Sequence, residues 1–297
     1  MWQYGKKGIG SKVFDAFNVV FLSLISIMAI YPFLYVLFSS FSDPILLMKH
    51  KGILLKPLGF SIEGYKLVFA NNDIINGYGV TLFLVSVGTT ANMFMTLIFA
   101  YVLSKRDAMW NGFLSVMVII TMFFNGGLIP TFLVVKSLGL HDSLWSLILP
   151  GLISTYNLII MRTAIMGVPI ELEESAELDG AGEITILTKI IVPMCVPTLA
   201  ALSLFYAVGH WNNWSSALVY IKTPTKYPLQ LVLRSILVQN STGGHTVGQA
   251  YEASQAEAAK RLLKYSTVIV SIVPIMMIYP FIQKYFTQGI MIGALKG

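Results

Sequence analysis

Charge is what this chain has least of. Only 11% of its 297 residues are charged, against about 25% in an ordinary soluble domain. Hydrophobic residues make up 56% and the mean hydropathy is +0.73. They are clustered rather than periodic, which excludes a water-soluble globule and points to a polytopic membrane protein. The net charge of +6 is therefore not a nucleic-acid footprint, and no nucleic-acid partner is expected. Basic residues interleave with aromatics at the borders of apolar runs, where such pairs anchor helices. The single cysteine, Cys195, excludes an intrachain disulfide. A cleavable leader is not expected either. The basic start at Lys6, Lys7 and Lys12 leads into a run of full spanning length with no small-residue cleavage pattern behind it. There is no glycine-rich loop ending in Lys-Ser or Lys-Thr, so the chain is not expected to hydrolyse nucleotides. His50, His141, His210 and His245 lack metal-ligand spacing, and no nucleophile constellation is present. The expectation is a chain with no catalytic residue, metal or cofactor of its own.

What is present is hydrocarbon-length sequence. Six runs, near 16–38, 80–103, 112–135, 144–166, 190–209 and 265–286, can each cross about 30 Å at about 1.5 Å per residue. The fold class expected is all-α with six transmembrane helices. Asn125-Gly126-Gly127 and Pro130 interrupt the third run and Pro150 the fourth. Such breaks suit helices inside a bundle, where neighbours satisfy the freed backbone. The long polar segments 39–79 and 211–264 fall on one side. The short connections at 104–111 and 167–189 fall on the other, with both termini. Short basic segments (Lys6, Lys7, Lys12, and Lys105 with Arg106) put both termini in the cytoplasm. This gives a cytoplasmic segment 1–15, a single membrane domain 16–286 and a cytoplasmic tail 287–297. Within the domain lie an elbow at 169–189 and an extracellular segment at 211–264. Glu252–Ser266 is rich in helix formers and feeds the last run, which Lys284 and Tyr285 should end at the interface.

The stretch from Glu171 to Pro193, ELEESAELDGAGEITILTKIIVP, is the one acidic segment between two apolar runs. Pro169 suits the first turn of a helix, and Glu171, Glu173, Glu174 and Glu177 suit the positive end of its dipole. Asp179-Gly180 reads as a break, with a second short helix starting at about Glu183. Any cytoplasmic loop must be polar, but such loops favour lysine and arginine. Solvation alone explains neither the acidity nor the small residues Ser175, Ala176, Gly180, Ala181 and Gly182. A docking element for a partner explains both.

Glu174, Ser175 and Ala176, Gly180 four positions on, then Ile190 and Pro193, resemble the EAA loop of bacterial ABC importer permeases. The spacing matches through all twenty positions, with Ser175 in place of an alanine and Val192 in place of a leucine. The resemblance covers nearly the whole chain and is to MalG-type permeases of carbohydrate importers, in the branch for oligosaccharide or polysaccharide-derived substrates. It is carried also by Met122–Leu140, Tyr156–Pro169, Gly209–Trp214, Lys226–Leu237 and Tyr279–Gly297. It implies a type I importer fold in a bacterial plasma membrane. The partners implied are a second related permease, two ATPase subunits that carry ATP and Mg, and an extracellular solute-binding protein, which segment 212–263 helps to receive. The elbow would be the coupling helix. In it Glu174 makes the charged contact, Ala176 the packed face and Gly180 the close approach, with Ser175, Ile190 and Pro193 completing the motif.

Polar side chains inside spanning runs are costly and tend to line a path or glue helices. Asn92, Asn125 and Asn157 qualify, with Thr89, Thr90, Thr96 and Ser154 as weaker hydroxyl candidates. Tyr156, His210, Trp211, Asn212, Asn213 and Trp214 could offer a sugar amides and aromatic faces. A stand-alone secondary carrier would need mid-membrane carboxylates, whereas the acidic residues here lie in loops or at edges. A non-transporting scaffold or sensor would explain the docking loop but not the interrupted helices.

Overall fold

The computed structural model describes residues 9–105, 109–239 and 250–294. Lys6, Lys7, Arg106, Asp107, His245 and Lys296 lie outside these. The first span is α1, Ile9–Ser40, with Pro32 in its interior. Two short helices follow, α2 (Pro44–Lys49) and α3 (Glu63–Ala70). Asp43 caps α2 by accepting from the Ile45 and Leu46 amides at 2.9 and 3.0 Å, with Pro44 in the first turn. A proline there forfeits only an amide that has no helical partner anyway.

The second span is longer than the sequence predicts. It runs 33 residues, Asn72–Ser104, starting inside what reads as a polar segment because Asn71 caps it through the Asp73 amide. Helix α4 (Asn72–Phe83) passes through a π turn at Leu84–Gly88 into α5 (Thr89–Ser104). The third run is not one helix. Helices α6 (Asn111–Phe123) and α7 (Leu128–Ser137) meet at 116°. The bend falls at the Asn-Gly-Gly break, where Gly127 has φ +85°, a backbone setting open mainly to glycine. The fourth run consists of 3₁₀ turns at Leu144–Leu147 and Leu149–Gly151 and then α8, Thr155–Met166, bent by 50° at the break.

After α9 (Ile170–Leu178), the fifth run begins earlier than 190. It comprises α10 (Glu183–Ile186), a π turn at Leu187–Ile191, α11 (Val192–Met194) and α12 (Val196–Trp211). Its two arms meet at 85° around Cys195, between Pro193 and Pro197. Each proline removes a backbone donor, so the helical ladder cannot run straight through. Beyond it lie α13 (Trp214–Tyr220), a 3₁₀ turn at Pro224–Lys226, α14 (Leu229–Gln239) and α15 (Ala250–Ala294). Lys284 and Tyr285 do not end the last helix, which continues to Ala294. That stretch contains no proline, and its strongest helix-weakening residues are the isolated Gly289 and Gly293, each costing about 1 kcal/mol against alanine. Counting each bent pair as one crossing, six spans lie among the described residues, three unbroken and three bent.

The chain divides into two compact units. The first is Met1–Ala70 with Ile236–Ser271. There Tyr35 meets Tyr265 edge-on at 6.1 Å, and a Cβ on Gly64 would lie 2.2 Å from Ser266 Oγ. The second is Asn71–Ser235 with Ile272–Gly297 and holds two cores. One gathers Ala100, Leu103, Met161, Ile165, Ile186, Ile191 and Leu202; the other gathers Leu84, Val135, Leu147, Ile148, Ala217 and Leu231. Lipid is as apolar as these side chains, so close packing and buried hydrogen bonds hold the spans together.

Candidate functional site

The acidic stretch folds as the elbow the sequence predicts, with one shift. Pro169 stands just outside α9 at the cap position with ψ 127°, not in the first turn. Helix α9 ends in a two-bond C-cap. The Ala181 amide donates to Ala176 O at 2.9 Å and the Gly180 amide to Glu177 O at 3.0 Å. That motif sets the residue just past the C-cap left-handed, and Gly180, following the cap residue Asp179, has φ +81°. A Cβ there would meet nothing within 4 Å, so within this chain the glycine answers backbone geometry, not crowding. Ala176 and Ala181 pack against the core cluster that includes Ile186 and Ile165, while Glu174 and Ser175 are exposed. Ile191, not its neighbour Ile190, is the fully buried residue where the second limb enters the bundle; Ile190 is half-buried and Pro193 exposed. The elbow also carries two uncovered apolar side chains, Leu178 at 89% and Ile184 at 79% exposure.

One cation ties the elbow down. Lys105, just past the end of α5, places Nζ 2.8 Å from Glu173 Oε2, 3.2 Å from Glu183 Oε2 and 3.9 Å from Glu177 Oε1. The Tyr101 hydroxyl donates to Glu183, and the ammonium lies 4.9 Å from the Tyr101 ring centroid. Burial disfavours the charge on Lys105, but hydrogen bonds to Glu173, Tyr101 and Glu183 outweigh it and raise the amine well above its ordinary range. Arg162 Nε adds a hydrogen bond to Leu103 O at 2.8 Å, occupying a carbonyl that the helix end leaves free. Lys105 is visible in the sequence as one basic residue of a short turn, but nothing local says that its partners lie some seventy positions on.

The polar residues predicted inside the spans separate into two sets. Asn92 is buried, its Nδ2 donating to Gly151 O at 2.9 Å and Leu152 O at 2.7 Å. These carbonyls are left free where the Pro150 break interrupts the helix, and a neighbouring amide satisfies them. Asn92 Oδ1 is 2.7 Å from His210 Nε2. Thr96 Oγ1 pairs with the Tyr206 hydroxyl at 2.7 Å, and that oxygen accepts from the Ser154 amide at 3.1 Å. Asn92 therefore holds helices together and has no amide atom left over for a solute.

The second is represented by Asn125, which lines an open cavity of about 260 Å³ together with Gly127, Leu128, Thr131, Ser215, Ser216, Val219 and Tyr220, residues the sequence did not single out for a path. Asn125 Oδ1 accepts from the Gly127 amide at 2.9 Å, leaving its Nδ2 without a bond to the described residues. Of the other predicted residues, Asn157 is buried, Tyr156 is 56% exposed, and Trp211 is buried beside Tyr78 at 6.3 Å. Asn212 is exposed and Asn213 half-buried; neither lines the cavity. Ser215 and Ser216, which do, follow directly on the Asn-Asn-Trp stretch, and nothing in the sequence marks them out. Trp214 instead stacks against the Arg234 guanidinium at 3.9 Å.

No protein-family model matches the chain. Protein LplC of Bacillus subtilis (strain 168) is 40% identical over 289 residues, an alignment spanning 96% of each chain. The polygalacturonan/rhamnogalacturonan transport system permease protein YtcP of the same strain is 38% identical, over 97% of this chain and 99% of YtcP. The chain belongs to the ABC sugar-importer permease family. A chain in the crystal structure of a bacterial ABC transporter involved in the import of the acidic polysaccharide alginate matches this fold with a TM-score of 0.87 and 26% identity. That match covers 95% of this permease and 99% of the other chain. The six crossings are thus those of a multi-pass permease subunit, whose family works with a partner permease, an ATPase and a binding protein.

Proposed function

We propose that this permease forms half of the path of an oligosaccharide importer and that its elbow receives a separate ATPase subunit on the cytoplasmic side. The observation that carries the reading is the elbow itself. Two limbs meet at Gly180; Leu178 stands uncovered beside the exposed Glu174 on a helix outside the spans, and Ile184 is uncovered on the limb that leads into the fifth span. Apolar side chains left bare among carboxylates fit a basic, apolar-lined groove on a partner. A complete importer would add a second, related permease, two ATPase subunits holding ATP and Mg, and an extracellular binding protein. Both termini would then be cytoplasmic, and segment 211–264 would face outward toward the binding protein.

The sugar class rests on YtcP, named for polygalacturonan/rhamnogalacturonan transport, and on the importer of the acidic polysaccharide alginate. The neutral hydroxyl and amide lining of the cavity suits sugar hydroxyls. Asn125, with Thr131, Ser215 and Ser216, is where a sugar would pass. Asn157, Tyr156, Trp211, Asn212 and Asn213 are weaker path residues.

The test is to purify the tagged chain from its host in mild detergent and identify what accompanies it, beside a Glu174→Ala, Leu178→Asp variant. The expected result is an ATPase and a second permease with the wild type, and loss of the ATPase alone with the variant. A chain that emerges without an ATPase overturns the reading.

A further inference from the structure

The Lys105 cluster does something the elbow reading does not require. Glu173 and Glu177 lie one turn apart on α9, and Glu183 opens α10 beyond the Gly180 break. Their carboxylates converge on one ammonium. Like charges brought together this way repel unless a cation lies between them. The cation belongs to neither limb: it sits at the end of α5, whose Asn92 and Thr96 are bonded to the Pro150 break and to α12.

We infer that Lys105 is the positioning residue that fixes the angle between the elbow's limbs and carries elbow motion into α5, and through α5 to the bundle. This rests on the elbow being the coupling element, and Glu174, which points outward, is left out of the clamp. With Lys105 neutralised, the elbow can still hold the ATPase, but its movement no longer reaches the spans.

The experiment uses the whole purified complex in lipid nanodiscs, with Cys195→Ala and Ser216→Cys placing one thiol in the cavity. A methanethiosulfonate reagent reports that thiol's reactivity without nucleotide and after trapping with ATP and vanadate. In this background trapping should change the labelling rate by about fivefold or more, the range of ordinary coupling. Lys105→Met should keep the ATPase bound and hydrolysing while the response shrinks to under about twofold. Lys105→Arg, which can still bridge carboxylates, should restore most of it. A response in Lys105→Met equal to that of the parent background overturns the inference while leaving the coupling elbow standing. No response in the parent background removes the elbow reading itself, and the inference with it. If Lys105→Met does not assemble, Glu183→Gln decides. It loosens one limb only, and an undiminished response with it equally overturns the clamp.

Discussion

Asn92 and Asn125 look alike in the sequence, each an amide in a spanning run, yet they are spent differently. The Asn92 side chain is used on both faces by two stranded carbonyls and His210. Among the described residues Asn125 bonds only across its own turn, and it opens onto a cavity. Polarity inside a membrane helix therefore does not mark a solute path. What separates the two is whether a neighbouring backbone break has already claimed the amide.

That contrast can be broken most forcefully at Gly88. A Cβ there would sit 2.5 Å from His210 Nε2, on the ring that pairs with Asn92. Gly88→Val should displace the imidazole, with an overpacking cost of about 1–3 kcal/mol or more. A marked fall in the melting temperature of the purified chain would show it. Asn92→Ala should cost somewhat less, roughly 1–2 kcal/mol, by leaving the Gly151 and Leu152 carbonyls without a donor. Ser216→Ala, on the cavity wall, should stay within about 0.5 kcal/mol of the parent and alter transport instead, read as uptake per assembled complex.

The smallest effect is expected at Asp142. Its carboxylate accepts from the Lys222 and Thr223 amides at 2.9 and 3.0 Å and from the Thr223 hydroxyl at 2.6 Å, with Lys226 Nζ at 3.3 Å. The Thr223 hydroxyl and the Thr223 and Lys222 amides, assisted by Lys226, hold its carboxyl well below the ordinary 3.8. Because the folded value is depressed, the stabilisation is complete above the ordinary value and is lost as pH falls below it. Thermal melts between about pH 5 and pH 3 should fall more for the parent than for Asp142→Asn, which carries no titrating group there.

Much of this was legible in the residues. The six crossings, the Asn-Gly-Gly and Pro150 breaks and the Gly180 turn each have a local chemical cause that the sequence displays. The 85° bend at Cys195 was signalled by Pro193 and Pro197, but a run read for hydropathy alone passes straight through it. The π turn at Leu84–Gly88 had no local signal, since it accompanies the close approach of Gly88 to His210, 122 positions away. Lys105's three partners and the Ser215–Ser216 wall were hidden for the same reason. They depend on which helices become neighbours, and a repeat of apolar residues in lipid does not encode that.

The most direct measurement compares thiol reactivity at one residue from each set. Ser216→Cys on the cavity wall and Thr96→Cys in the buried network, each with Cys195→Ala, would be labelled in the purified complex with a charged methanethiosulfonate. The account predicts rapid labelling at 216 and protection at 96. Protection at 216, or equal labelling at both, would contradict the separation of path from scaffold.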